Sequence, residues 1–340
     1  MDQPDNAAGL TPATMRAVVV TRPGGLDALE IREVPVPDPQ PGWVRIKVKA
    51  FGVNESEVTT RKGESDPDVT YPRIPGIEGV GVVDRADEAS GLRPGQQVAT
   101  MMGGMGRSFD GSYAQYATVP AGQVIPFETD LPWEVAGALP EMFQTAYGSL
   151  TTGLGLTAGQ TLLIRGGTST VGLSAATIAK DLGATVLSTT RSPGRAAELR
   201  AVGVDHPLVD DGTIAGQVRE LVPDGVDAAL ELVGCSVLAD TLRTVRRHGT
   251  VCFTGALAGQ WTIPDFTPFM IPGGVRLTAY AGEAGDLPAE VFGHQLRAIA
   301  DGRLTAPVAK VHHGLEQVRA AQADVEAGTT PGKHVVLLDD

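Results

Sequence analysis

Two rhythms divide the chain. From residue 15 to about 130, short β-branched or alternating runs are separated by turn clusters such as RPGG and PVPDPQPG. The runs are MRAVVV (15–20), LEIREV (29–34), WVRIKVKAFGV (43–53), EGVGVVDRA (78–86) and QQVATM (96–101). This spacing predicts a compact, all-β, barrel-like unit. From about 133, helix patterns alternate with apolar runs: QTLLIRG, a helix over 170–182, ATVLSTT, 193–202, HPLVD, 213–222, GVDAALELVG, 236–247, GTVCFTG and GVRLTAYAG. Six strands with intervening helices predict a doubly wound parallel sheet with right-handed crossovers. The last section, from EVFGHQLRAIADG (290–302) to KHVVLL, contains strands with no neighbours of their own. It is expected to return to the first unit, which leaves the parallel sheet as an insertion. The boundaries read are 15–132 with 283–340 for the β-rich unit, 133–282 for the parallel one, and 1–14 as a polar, flexible tail.

The stretch LLIRGGTSTVGLSAATIAKDLGATVLSTTR (162–191) opens like a dinucleotide-binding turn and departs from the G-x-G-x-x-G rule. Gly167 and Gly172 stand in the first and third glycine positions, while Ser169 replaces the second, flanked by Thr168 and Thr170. The first glycine permits the bend, and the third lets helix and strand pack closely. A hydroxyl at Ser169 can cap the helix or meet a phosphate drawn to the same helix N-terminus. Backbone N–H groups of Thr170 and Val171 are expected under the pyrophosphate. About 20 residues on, where an acidic residue would accept from a ribose 2′-hydroxyl, the second strand ends in Thr190 and Arg191, with Arg195 following. Threonine does not repel a 2′-phosphate, and arginines offer charge-assisted contacts to one. The expected cofactor is NADPH. Gly234, Phe253 and Gly255 end two later strands at the carboxyl edge of the sheet, where ligands bind in such folds, and are candidate cofactor-wall residues.

Composition narrows the alternatives. Only 5% of residues are aromatic against 42% hydrophobic, so the core must be aliphatic. The net charge of −13 weighs against nucleic-acid or anionic-membrane partners, since both need basic patches. No apolar stretch approaches a membrane span. The start MDQPDNAAGLTPAT lacks the apolar core of a signal peptide, so a cytoplasmic location is expected. Cys235 and Cys252, the two cysteines, read as buried hydrophobes rather than a disulfide framework.

Several markers in order give the chain a resemblance to the medium-chain dehydrogenase/reductase superfamily, and within it to the zinc-independent quinone oxidoreductase (zeta-crystallin-like) branch. They are FGVNESEVTTRKG (51–63), IPGIEGVGVV (74–83), RPGQQVAT (93–100), GSYAQYATVP (111–120), MFQTAYGSL (142–150) and RGGTSTVGLSAATIAK (165–180), followed by the closing GLEQVRAAQADVEAGTTPGKHVVLL. The resemblance implies a GroES-like β-rich domain with an inserted Rossmann domain. It also implies that Asn54 faces the nicotinamide end of the cofactor and Thr145 the nicotinamide ribose. By the same likeness Lys333 lies near the cofactor; taken alone, it reads as a surface lysine. Glu78 reads as structural. Asp210 stands where relatives often carry an adenine-side tyrosine, and none of Tyr71, Tyr113 and Tyr147 is marked out as a proton donor.

The zinc alcohol dehydrogenases of the superfamily ligate metal where this chain has Asn54 and Ile77, and with a cysteine near the position of Gln144, where none occurs. Such a residue set cannot build a zinc centre. His312 and His313, adjacent in a strand-like stretch, face opposite sides and cannot chelate as a pair. No metal is expected. Hydride transfer from NADPH to a quinone or activated enone fits, because the cofactor carries the chemistry. An enoyl-thioester reductase and a non-catalytic NADPH-binding protein are the alternatives. An open edge strand over 274–282, with one charge in VRLTAY and no proline, points to a homodimer paired through it.

Overall fold

The computed structural model describes residues 11–65 and 67–339. Most of the proposed tail lies outside them. Of the remainder, Thr11 donates its hydroxyl to Asp84 at 3.2 Å and Thr14 already opens the first strand.

The β-rich unit begins with a hairpin, β1 (Thr14–Val20) against β2 (Leu29–Pro35), in register from Met15↔Val34 to Val20↔Leu29. There follow β3 (Trp43–Val53), β4 (Glu78–Ala86), β5 (Gln97–Met101), β6 (Tyr116–Pro120) and β7 (Val124–Pro126). The unit is not purely β. Helix α1 (Glu55–Lys62) leaves the end of β3, started by a reciprocal capping box between Asn54 and Glu57 and stopped by Gly63 at φ 77°.

Two helices carry the chain across, α2 (Trp133–Ala136) and α3 (Pro140–Gly148), the latter running into a π-helical turn at Ser149–Gly153. The parallel unit then alternates β8 (Thr161–Arg165), α4 (Thr170–Asp181), β9 (Thr185–Thr190), α5 (Ala196–Ala201), β10 (His206–Val209), α6 (Ala215–Leu221), β11 (Val226–Glu231), α7 (Cys235–Thr244), β12 (Val245–Phe253) and β13 (Arg276–Ala279). Its six strands lie in the order β10-β9-β8-β11-β12-β13, all parallel. The order turns back at β8, and such a switch point opens a crevice at the strands' carboxyl ends. Two boundaries differ from expectation. The helix of 236–247 ends at Thr244, because Val245 is buried and pairs with Val226 as the start of β12. The edge strand of 274–282 shortens to Arg276–Ala279, hydrogen-bonded on one side to β12.

After α8 (Ala289–Ala300) come β14 (Val308–His313), α9 (Val318–Ala327) and β15 (Lys333–Leu337). β15 lies antiparallel on β3, so the second sheet runs β14-β15-β3-β4-β5-β7, with β6 also on β3. The C-terminal strands find in β3 the partner that they lack locally.

One apolar cluster joins the two units. It runs from Ala50, Val80 and Val335 through Leu139, Phe143 and Phe292 to Leu162 and Ile164. At ~1.5–3 kcal/mol for each fully buried large side chain, this shared core resists their separation. No helix among the described residues is long and apolar enough to cross a membrane.

Candidate active site

The glycine turn sits between β8 and α4. Gly166, at φ 90°, takes the bend that had been expected of Gly167. At Gly167 an added Cβ would lie 1.8 Å from Ser188 Oγ, so its task is to let the turn press on β9. Gly172 keeps its expected role: a Cβ there would stand 2.6 Å from the Gly166 carbonyl oxygen, where the helix crosses the turn. Ser169 is the N-cap. Its hydroxyl accepts from the Gly172 N–H at 3.1 Å and donates to the Gly166 carbonyl at 2.8 Å. The hydroxyl is thereby committed to the turn, and the early N–H groups of α4, among them those of Thr170 and Val171, have no intrahelical acceptor.

At the end of β9 the Thr190 hydroxyl closes a local turn with Ser192. Arg191 is exposed. Arg195 reaches back to donate to the Thr168 carbonyl at 3.3 Å and pairs with Glu198 at 2.9 Å. Arg195 is thus tied to the glycine turn at Thr168. Gly234, at φ 124°, caps α7, while Phe253 and Gly255 flank the end of β12. Ser149 Oγ, 2.9 Å from Thr254 Oγ1, ties the end of α3 to that same edge.

Beneath the turn lies a charge cluster whose members no sequence motif groups together. Arg165, the last residue of β8, is fully buried. It grips Asp210 in a two-pronged pair at 2.8 and 2.9 Å, Asp240 at 2.9 Å and the Thr241 hydroxyl at 3.0 Å. Asp210 is therefore a lock for the turn's strand. Although burial opposes ionisation, the guanidinium and the Gly212 N–H hold the Asp210 carboxyl below its usual range. Glu231 accepts from the N–H groups of Val233 and Gly234 at 2.7 and 3.0 Å, which fixes the loop that carries Gly234. An arginine closing an apolar strand, as in LLIRGG, is the one local signal of this cluster.

A second buried cluster lies where β3, β4, α3 and β15 meet. Lys333 is no surface lysine: it is 1% exposed, and its ammonium donates to Asn54 Oδ1, to Glu78 Oε1 at 2.8 Å and to Glu141 Oε2 at 3.0 Å. The Asn54 amide is held from both ends, since its Nδ2 donates to Glu78 Oε1 at 2.9 Å. Glu57 accepts from the N–H groups of Asn54 and Ile77, both at 2.9 Å. Burial, with Glu78 nearby, pushes the Glu57 carboxyl up to about 7. Burial also raises Glu78, against the pull of Lys333. Thr145 donates to Glu141 Oε1 at 3.0 Å, so both proposed reaction-site residues, Asn54 and Thr145, belong to one network through Glu141 and Lys333. Tyr113 is buried and stacked on Phe51, and Tyr71 bonds the Thr60 carbonyl.

Residues 40–129 match the Alcohol dehydrogenase GroES-like domain family, and residues 170–285 the Zinc-binding dehydrogenase family. Prostaglandin reductase-3 of Bos taurus is 30% identical over 293 residues, covering 83% of this chain and 70% of that protein. The chain belongs to the medium-chain dehydrogenase/reductase superfamily. Its place is the zinc-independent quinone oxidoreductase branch. The human protein Quinone oxidoreductase is 26% identical over 330 residues, covering 95% of this chain and 98% of that protein. A mycobacterial protein solved in complex with NADPH superposes with a TM-score of 0.82 at 28% identity, covering 95% of this chain and 99% of its own. The protein is therefore an oxidoreductase of a pyridine-nucleotide-binding fold.

The matched family's description includes zinc, and the donor set at Asn54 does not fit it. The carboxylates there already surround a resident cation, the Lys333 ammonium, and Asn54 spends its amide on that ion and on Glu78. Neither thiol nor imidazole joins them among the described residues, so tetrahedral zinc has no ligand set at this position.

Proposed function

We propose that the protein is a zinc-independent, NADPH-dependent reductase that transfers hydride to a quinone or an activated α,β-unsaturated carbonyl. The single observation that carries this is the cluster at Asn54. A lysine occupies the cation position, so there is no Lewis acid to stabilise an alkoxide, and an acceptor that is already electrophilic is the chemistry left to the site. The names of the quinone oxidoreductase and prostaglandin reductase relatives support the same class.

When bound, the nicotinamide supplies the hydride. This chain's residues bind and orient it. The Thr170 and Val171 N–H groups offer donors to the pyrophosphate, with Ser169 keeping the turn in shape. Gly234, Phe253 and Gly255 line the cofactor wall. Arg191 and Arg195 meet the 2′-phosphate next to Thr190, which brings no carboxylate of its own; the partly exposed Arg195–Glu198 pair gives way to it. Asn54 and Thr145, fixed through Lys333 and Glu141, position the reacting end. The accompanying proton is assigned to solvent, with Tyr71 and Tyr113 bound to or packed against other groups. We also propose a homodimer through the β13 edge, which light scattering of the 35.3 kDa chain would test.

The test is a panel assay of NADPH oxidation with quinones, enones and enoyl thioesters. Turnover of the first two is expected; turnover of thioesters alone would move the protein to a biosynthetic reductase. Replacing Arg191 and Arg195 together with Ala should cost at least about tenfold in NADPH affinity, given ~1.5–3 kcal/mol for each charged hydrogen bond lost. Equal binding of NADH and NADPH by the unaltered protein would refute the cofactor assignment.

A further inference from the structure

Strand alternation does set His312 and His313 on opposite faces, but a different histidine completes a pair. His312 on β14 and His334 on the neighbouring β15 both face α9, on the side of β15 away from Lys333. His312 Nε2 lies 3.3 Å from His334 Nδ1 and 3.6 Å from Asp324 Oδ2, and His334 Nδ1 lies 4.0 Å from that same oxygen. These three are the one such group of potential metal ligands among the described residues.

Bonds of ~2.0–2.1 Å at tetrahedral angles set ligand atoms roughly 3.3–3.4 Å apart. The two imidazoles already stand at that spacing. Only the Asp324 carboxylate has to draw in, and it is partly exposed. Both histidines are nearly fully buried. A single hydrogen can bridge the two facing nitrogens, and a metal ion would instead take the lone pair of each. His334 Nε2 is buried with no hydrogen-bond partner, and with a metal on Nδ1 it would be the nitrogen that carries the proton.

We propose that His312, His334 and Asp324 form a binding site for one divalent transition-metal ion of the zinc class, distinct from the reaction cleft, with water as the fourth ligand. Two imidazoles and one carboxylate suit zinc, cobalt(II), nickel or copper(II), and not magnesium or calcium, which take all-oxygen shells. The rival cation is on the same face. Lys310 Nζ donates to Asp324 Oδ2 at 2.7 Å, and a bound metal must displace or share that contact. Removing this ion pair should therefore strengthen metal binding.

The experiment is titration of the full chain, free of any affinity tag, with Zn²⁺ against a chromophoric chelator and with Co²⁺ by visible absorption. One equivalent per chain is expected, with a tetrahedral Co²⁺ spectrum and a thermal midpoint raised by Zn²⁺. His334→Gln and Asp324→Asn should each weaken binding by about tenfold or more, and Lys310→Gln should tighten it. Lys310 and Asp324 lie toward the surface, so those two variants keep the test open if a histidine variant fails to fold. The site is refuted if the protein binds no stoichiometric Zn²⁺, or binds it equally well in the Asp324→Asn and Lys310→Gln variants. An ordinary His–His hydrogen bond beside a Lys–Asp pair would then be the whole account.

Discussion

The two buried charge clusters face similar problems and solve them differently. Around Arg165, one cation meets Asp210 and Asp240, all within residues 165–241 of the parallel unit. Around Lys333 of β15, one cation meets Glu78 and Glu141, but these partners come from β4 and α3 and the cluster spans both units. The guanidinium is a planar fork that fits Asp210 with two parallel bonds. The ammonium is a point charge whose three donors are shared among three acceptors. Titration follows the geometry. Asp210 is held ionised, whereas Glu57, beside the lysine cluster with no cation of its own, is pushed to about 7. The first cluster is a lock under the cofactor turn. The second is a joint between units, and it holds the residues proposed to face the reaction.

The largest test of this contrast is Arg165→Met. It would strand buried carboxylates and should cost on the order of 3–5 kcal/mol in denaturant unfolding. Arg165→Lys should recover only part of the loss, because an ammonium does not reproduce the fork; full recovery would show that charge alone, without the fork, holds the cluster. Lys333→Met should cost less, about 3 kcal/mol, since Glu78 is already biased toward its protonated form and can neutralise. Unlike the Arg165 change, it should also lower turnover by releasing Asn54, and an unchanged rate would separate Lys333 from the reaction. Glu57 tests the titration claim. Its carboxyl holds a proton in the folded chain between about 4.5 and 7, where the unfolded chain has released it. Stability should therefore fall as pH rises through that window. Glu57→Gln should flatten the fall by on the order of 2–3 kcal/mol, and an unaltered pH profile would show the acid to be ordinary. The smallest effect is expected at the cap above the Arg165 lock: Ser169→Ala should lose ~1 kcal/mol, with NADPH affinity declining only as far as the turn loosens.

Much of the fold was legible because its signals are local. Alternation in WVRIKVKAFGV gives β3 at its observed bounds, and the apolar run before Gly166 and Gly167 gives β8 and the turn. Helix α1 escaped notice because Val58, Thr59 and Thr60 are poor helix formers, although the Asn54…Glu57 spacing marks its capping box. The bend passed from Gly167 to Gly166 because two adjacent glycines read alike, and only packing against Ser188 tells them apart.

By itself, then, the sequence determined most element types outside α1, the parallel sheet, a capping-competent hydroxyl at Ser169 and the absence of an acid after β9, all properties of a few neighbouring residues. Tertiary structure alone decided the rest. It buried Lys333 among partners as far away as Asn54, set Asp210 on Arg165, and brought His334 to His312 across adjoining strands. The reason is physical. Backbone periodicity records which face a side chain takes, but a buried charge is defined by what the chain's distant segments place opposite it, and no local pattern encodes that partner.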